Sequence, residues 1–301
     1  MIKSITVTNY LGDSIKLDLA RPDLSGFAVL SVEGLGPGKA TINTTDMTTA
    51  DGSMFGSAKL PQRNIVINLK YLWSKSVEDT RQLSYKYFPI KKKITLAIDT
   101  DNRNVEIDGY VESNEPSIFN RDSWTKISII CPNPYFRSIG ANGTNVTVFS
   151  GIEPVFEFPF ECIDGGIELG SVNKYTDRVV MYSGDAEVGV TIKIHAIGES
   201  TNILIYNSLT RETMKIDTAK LASIIGSGIK AGDDIEICTE HGNKTVTFIR
   251  DAVRTNILNC LDRNSDWFKL NRGENVFGYT ADSGSENLQF TIENKVLYEG
   301  V

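Results

Sequence analysis

The sequence predicts a mainly β protein of two domains, an N-terminal β-sandwich-like domain with one helix and a C-terminal β-sandwich. Three observations carry that prediction. Short segments of alternating apolar and polar residues recur at roughly ten-residue spacing, the pattern of strands half-buried on one face. Before residue 131 only one stretch, ending at Phe88-Pro89, changes to a helical period. Between the halves lies Cys131–Asn145, CPNPYFRSIGANGTN. There Pro132 and Pro134 remove two backbone donors and fix two φ angles, and Gly140, Asn142 and Gly143 supply a flexible polar crossing. The predicted domains are residues 1–138 and 139–301.

In the first domain, Ile5–Thr8 and Ile15–Leu19 alternate and read as strands joined by a turn at Gly12-Asp13. Phe27–Val32 is a third strand. Gly34-Leu-Gly-Pro-Gly38 follows, then polar residues to Asp46. A glycine-rich loop cradles phosphate when a helix follows it and a Lys-Ser/Thr pair closes it. Neither is present, so the stretch reads as a long β-connection, and Asp51–Gly56 as a turn within it. Arg63–Tyr71 is the clearest strand, with Ile65, Ile67, Leu69 and Tyr71 on one face. Ser76 then suits a helix N-cap, Glu78 and Asp79 meet the positive end of the helix dipole, and Asp79 stands where a capping box places its acid. Val77, Thr80, Leu83 and Tyr87 share one side, and Pro89 ends the helix. Lys91–Lys93 lead into strand Ile94–Ile98 and read as solvated lysines that blunt a sheet edge, ahead of a nucleic-acid patch. Asp99–Asn104 resembles a calcium loop only superficially: Arg103 holds the fifth position, Asn104 replaces the sixth-position Gly, and Tyr110 stands where the closing Glu belongs. It reads as a hairpin turn, with strands Val105–Glu112 and Trp124–Cys131 completing the domain.

In the second domain the expected strands are Val146–Phe149, Val155–Phe160, Arg178–Tyr182, Val188–His195, Asn202–Tyr206 and Thr213–Ile216. Asp217–Ile225 has room for one helical turn. Asp234–Thr239 and Thr245–Ile249 form a hairpin across Glu240–Asn243, and Asn275–Thr280 and Leu288–Leu297 close the set. The pattern leaves open whether Leu288–Leu297 stays in the second domain or returns to the first.

The chain has 301 residues, enough for two cores, with 41% hydrophobic and 23% charged residues, as in ordinary globular proteins. No apolar run approaches the roughly 18 residues of a membrane span, so no membrane insertion is expected. The opening MIKSITVTNYLGD lacks a signal-peptide core, which predicts synthesis in a cytoplasm. Residues 1–138 carry 17 Lys and Arg against 15 Asp and Glu, net +2; residues 139–301 carry 14 against 23, net −9. That second half repels polyanions, which argues against a dedicated nucleic-acid-binding role. Cys131, Cys162, Cys238 and Cys260 are widely spaced and read as buried thiols in a reducing compartment. The Asn-x-Thr sites at Asn43, Asn142, Asn145 and Asn243 are incidental without secretion. His195 lies in an alternating strand and His241 in a turn, neither at zinc-ligand spacing, and no Gly-x-Ser-x-Gly elbow is present. Nothing selects a catalytic carboxylate pair from the many acids. The sequence therefore predicts no enzyme activity, no metal and no cofactor. Trp267 and Phe268 are the candidate glycan contacts of an alternative reading, a carbohydrate-binding module contacting a cell wall through the C-terminal sandwich.

Taken in order, several pieces resemble one family. They are Gly34-Leu-Gly-Pro-Gly, Asp51-Gly52, Arg63-Asn-Ile-Val-Ile-Asn-Leu and the helix ending at Phe88-Pro89. They continue with Gly109-Tyr-Val-Glu and with Trp124 leading to Ile129-Ile-Cys-Pro-Asn-Pro-Tyr135. The last are Gly232-Asp-Asp-Ile-Glu-Ile, Ser265–Asn275 and Val296-Leu-Tyr-Glu-Gly-Val301. Their joint order resembles the distal tail protein family of bacteriophages, the siphovirus-type tail component, most weakly over residues 150–230. No single piece is a sharp motif.

The resemblance implies an N-terminal domain that assembles into a homohexameric ring, with a galectin-like C-terminal β-sandwich outside it. The ring would join the tail tube protein to the tail-associated hub protein at the tail tip or baseplate of the virion, leaving a channel through which DNA passes without specific binding. The tape measure protein and receptor-binding or other baseplate proteins are further candidate partners. The family has relatives in contractile tails and tail-like bacteriocins, so sheath type stays open. It implies a structural protein with no catalytic residues. Closed rings use heterologous contacts, and the long connection Gly34–Lys59 is the candidate arm. The candidate interface residues are Gly34, Gly36, Gly38, Asp51, Gly52, Phe55 and Arg63. A channel for DNA should not grip phosphate, so Lys91–Lys93 are expected to point away from it.

Overall fold

The computed structural model describes residues 1–48, 51–72, 76–119, 123–139, 144–153, 171–174 and 177–301. The expected strand Val155–Phe160, the crossing residues 140–143 and Cys162 lie outside them. Two compact units form, Met1–Gly143 with Leu297–Val301, and Thr144–Val296. Ile139 and Leu297–Val301 thus group with the first unit, whereas the sequence reading ends the first domain at 138.

In the first unit, β1 is Ile2–Thr8, β2 Ser14–Asp18, β3 Phe27–Glu33, β4 Thr41–Asp46, β5 Ser53–Lys59 and β6 Arg63–Tyr71. Helix α1 is Val77–Tyr87; β7 is Lys93–Thr100, β8 Asn104–Pro116, β9 Trp124–Cys131 and β10 Phe136–Ser138. The order β2-β1-β7-β8-β9-β6-β3 makes one antiparallel sheet, and β10 joins it by pairing with β8. Alternation decides which face is buried: Ile65, Ile67, Leu69 and Tyr71 of β6 turn into the core with Ile94, Leu96, Ile98, Val105, Ile107, Ile127 and Ile129. Ser76 is the N-cap residue but its side chain makes no cap hydrogen bond; instead Thr80 Oγ1 donates to the Ser76 carbonyl at 3.1 Å. Thr80 and Ser84 form the buried side of α1, with Val77, Leu83 and Tyr87 partly buried beside them. Tyr71 Oη and Ser84 Oγ lie 3.3 Å apart inside the core, so a polar pair joins helix to sheet. The strand that follows Lys91–Lys93 is flanked by β1 and β8, so these lysines do not blunt an edge.

In the second unit, β11 is Thr144–Val148, β12 Ser150–Glu153, β13 Ser171–Lys174, β14 Asp177–Tyr182, β15 Val188–Gly189, β16 Thr191–Ala196, β17 Thr201–Asn207 and β18 Thr213–Ile216. Helix α2 is Thr218–Ile225, followed by β19 Asp234–Cys238, β20 Thr245–Arg250, β21 Val253–Asn256, β22 Lys269–Leu270, β23 Gly273–Ser283 and β24 Leu288–Lys295. The larger sheets run β11-β24-β16-β19-β20-β21 and β14-β23-β17-β18. Tyr279 of β23 stacks on Phe290 of β24 with ring centroids 4.0 Å apart, so the two sheets close face to face as a sandwich. Helix α2 exceeds the single turn expected. Asp217 accepts from the Ala219 and Lys220 N–H groups at its start, and Gly226, at φ 78°, closes it in the left-handed conformation. The expected strand Val188–His195 is split at Val190 into β15 and β16, which pair with different sheets.

One buried ion pair fastens the second unit. Asp233 is buried and accepts from Arg250 Nε at 2.7 Å, Arg250 Nη2 at 2.6 Å and the Lys230 N–H at 2.7 Å. Burial by itself would raise the Asp233 pKa; the Arg250 and Lys230 hydrogen bonds outweigh it and hold the carboxyl below its ordinary value. A depressed carboxyl contributes stability that is present above its unfolded pKa, about 4, and lost as pH falls through the folded value. Asp233→Asn is therefore expected to cost about 2 kcal/mol at neutral pH and to flatten the loss of stability below about pH 4. Urea unfolding of the second unit at pH 7 and at pH 3 checks it.

Candidate assembly site

The site grows from the chain between β3 and β6. The sequence suggests an unstructured connection there, and the structure makes it a two-stranded antiparallel ribbon of β4 and β5. Every residue of both strands is exposed, and the ribbon forms a sheet of its own. Its turn lies at Asp51-Gly52, and Ser53–Gly56, expected in the turn, belong to β5. Thr41↔Lys59 to Asn43↔Ser57 pair in register; Gly56 is then skipped, and Thr44↔Phe55 to Asp46↔Ser53 continue. That bulge preserves the faces. Ile42, Thr44 and Asp46 share one face with their partners Ala58, Phe55 and Ser53. On it Ile42 is 61% and Phe55 65% exposed.

The ribbon's root is held by Arg63, the first residue of β6. Its side chain is almost wholly buried, yet its hydrogen bonds go to backbone carbonyls. Nη1 donates to Gly34 O and Gly36 O, each at 2.6 Å; Nε donates to Pro134 O at 2.7 Å; Nη2 donates to Glu299 O at 2.6 Å. The guanidinium lies 4.7 Å over the Phe136 ring. Burial pulls its pKa down, the mark of a cation taken out of water. One side chain thus ties three stretches distant in sequence to the start of β6. The closing residues complete the fastening. β25, Leu297–Tyr298, pairs with β10; Val301 N–H donates to Leu35 O at 3.1 Å; Arg103 stands 4.4 Å over the Tyr298 ring. This is where the last strand pattern goes: β24 stays in the sandwich and β25 enters the first unit's sheet.

Gly34 has φ 84°, and a Cβ on it would lie 2.1 Å from Asn64 O, so only glycine lets the ribbon leave β3 against β6. Gly38 contributes to a cavity of about 320 Å³ at the root, lined also by Pro37, Pro61, Arg63 and Pro134. The candidate interface residues therefore fall into two groups. Gly34, Gly36, Gly38 and Arg63 build the root; Asp51, Gly52 and Phe55 are presented on the ribbon. The Arg63 side chain is buried within the first unit.

No group of three or more His, Cys, Asp and Glu could hold a metal among the described residues. His195 Nδ1 lies 2.7 Å from Asp234 Oδ1 on the exposed face of the sheet, and burial pushes the Cys131 thiol up to about 12, which makes it an inert core group. Phe268 is fully buried with its ring edge-on to Phe277 at 5.3 Å, so it offers no face to a sugar. Lys244 Nζ sits 5.0 Å over the Trp267 ring. Among the described residues no helix is long and apolar enough to cross a membrane.

Residues 183–295 match the family described as siphovirus-type tail component, C-terminal domain. The whole fold is similar to that of SPP1 Dit, presented as a paradigm of the hub adsorption apparatus in phages infecting Gram-positive hosts. The TM-score is 0.65 at 13% identity, over 97% of this chain and 98% of that one. It is also similar to a chain of the phage P2 baseplate in its activated conformation with Ca, at TM-score 0.51 and 14% identity, over 98% of this chain and 99% of that one. The strontium form of that baseplate gives TM-score 0.51 and 14% identity, over 97% and 98%. No curated protein sequence matches the chain.

Proposed function

From the match of residues 183–295 to the siphovirus-type tail component C-terminal domain family, we propose that this chain is a structural protein of a phage tail tip. Six copies form a ring through the first unit. The ring joins the tail tube protein to the tail-associated hub protein and leaves a channel for DNA. The second unit is carried outside and is open to further baseplate proteins. The observation that carries this reading is the similarity of fold to SPP1 Dit over 97% of the chain.

The ion pairing of Lys93 and Arg137 is in keeping with a channel that does not hold DNA. Lys93 lies 3.2 Å from Asp108, and Arg137 lies 2.8 Å from Asp108 and 3.4 Å from Glu106. Cations already paired with carboxylates displace few counterions from a nucleic acid. The exposed ribbon supports a ring, because an isolated two-stranded ribbon is marginal in water until something covers it. The carbohydrate-binding alternative loses Phe268 to the core and is left with Trp267, over which Lys244 sits.

Electron microscopy and native mass measurement test the proposal, on the purified chain alone and mixed with the tube and hub proteins. Sixfold rings are expected. A chain that stays monomeric in every mixture and binds neither partner refutes it.

A further inference from the structure

We propose that the ribbon docks on a second copy of this chain, at a basic and apolar patch formed by the β1–β2 turn and the segment after α1. The proposal rests on the ring reading and names the contact that closes the ring. The patch is one surface. Asn9 Nδ2 donates to Lys86 O at 3.1 Å, Lys86 Nζ lies 3.1 Å from Asp13, and Lys92 Nζ lies 5.2 Å over the Tyr10 ring. Tyr10, Leu11 and Ile90 are 52%, 69% and 53% exposed there, an apolar group that a lone subunit gains nothing by showing to water. Around it stand Lys86, Lys91 and Lys92, with Asp13 paired to Lys86; among the described residues neither Lys91 nor Lys92 has a carboxylate within ion-pair distance.

The ribbon has the opposite character. Its free end carries Asp46 and Asp51, and the face bearing Asp46 continues into Phe55 and Ile42. Acid leads and hydrophobe follows, matching lysines set around Tyr10, Leu11 and Ile90. The ribbon's own subunit does not supply this partner, since the ribbon is exposed along its full length. A ribbon of one copy on the turn of the next is a contact between two different patches, which repeats around an axis and closes into a ring. The like-charge cost of misplacing the acidic end elsewhere adds direction to the contact.

The test replaces Phe55 with photoreactive benzoylphenylalanine in the full chain, and maps the cross-linked peptides after irradiating assembled rings or tails. Cross-links to residues 9–13 and 86–92 of a second copy are expected. A ring whose Phe55 cross-links to another surface of the second copy, or to a different tail protein, overturns this contact and leaves the ring reading standing. Failure to assemble alone or with the tube and hub proteins overturns both. Charge reversal gives an independent arm. Lys91→Glu with Lys92→Glu is expected to raise the concentration needed for assembly about tenfold, as is Asp46→Lys with Asp51→Lys. Mixing the two variants restores assembly if the pairs meet. Two reversals that each leave assembly unchanged overturn the contact.

Discussion

Arg63→Ala is expected to destabilise the first unit by about 4 kcal/mol, which for a unit of this size lowers its melting temperature by roughly 10 °C. The second unit, whose fold does not use Arg63, serves as the internal reference. The size follows from what the guanidinium does. It supplies charge-assisted donors to Gly34, Gly36, Pro134 and Glu299 carbonyls while being almost wholly buried itself. Truncation leaves those carbonyls without a donor and opens a void above Phe136. Arg63→Lys is expected to recover little. One ammonium has no fork with which to reach carbonyls on three sides, and it is harder to strip of water than a guanidinium. Calorimetry of the full chain checks both variants. Hydrogen exchange locates the damage: Gly34–Gly38 should exchange faster, while β7 and β9 stay protected. Equal melting of Arg63→Ala and the parent would show that the carbonyls find other partners.

Arg63 also shows where sequence reading stops. Its neighbours Ile65, Ile67, Leu69 and Tyr71 alternate cleanly, and β6 was legible from that period alone. The arginine at the head of the run looks like a solvated strand end. A buried Arg normally announces itself by an acid at a telling distance; this one bonds backbone oxygens, which every residue carries, so no side chain marks the partnership. β4 and β5 were hidden for a related reason. Alternation is a signature of one buried face, and a ribbon exposed on both faces has none to impose on Thr41–Asp46. The same holds for β21, whose Val253, Arg254 and Asn256 are exposed. Trp267 and Phe268 lie just before β22 and in no strand, so no alternation marks which of them turns inward. It is Phe268 that fills the core, and the pair could not both have served a ligand. The helix α1, by contrast, was read nearly to the residue, because Ser76 and Pro89 mark both ends. Lys91–Lys93 lead into β7 as the pattern indicates, but β7 lies inside the sheet and not at its edge, since pairing order is a long-range property that local pattern does not contain.

Removing residues 297–301 is expected to cost the first unit about 5 kcal/mol while leaving the second unit's melting unchanged. The deleted segment brings the mostly buried Leu297, the β25 pairing to Phe136 and Arg137, the Glu299 carbonyl under Arg63 and the Val301 N–H on Leu35. Burial of one leucine is worth about 2 kcal/mol and each of the three kinds of hydrogen bond about 1. The order of synthesis gives the number its meaning. The first unit begins the chain, but its sheet takes in a strand made only after the whole of the second unit, Thr144–Val296. A chain stopped at Val296 therefore carries a complete second unit and a ribbon whose root has lost two of its fastenings. We expect that chain to be cut by protease within Leu35–Gln62 at least tenfold faster than the parent, the factor that about 1.4 kcal/mol of lost local stability produces. Full resistance in the shortened chain would mean that Arg63 and Gly34 fix the root unaided, and that the closing strand only covers an edge of the sheet.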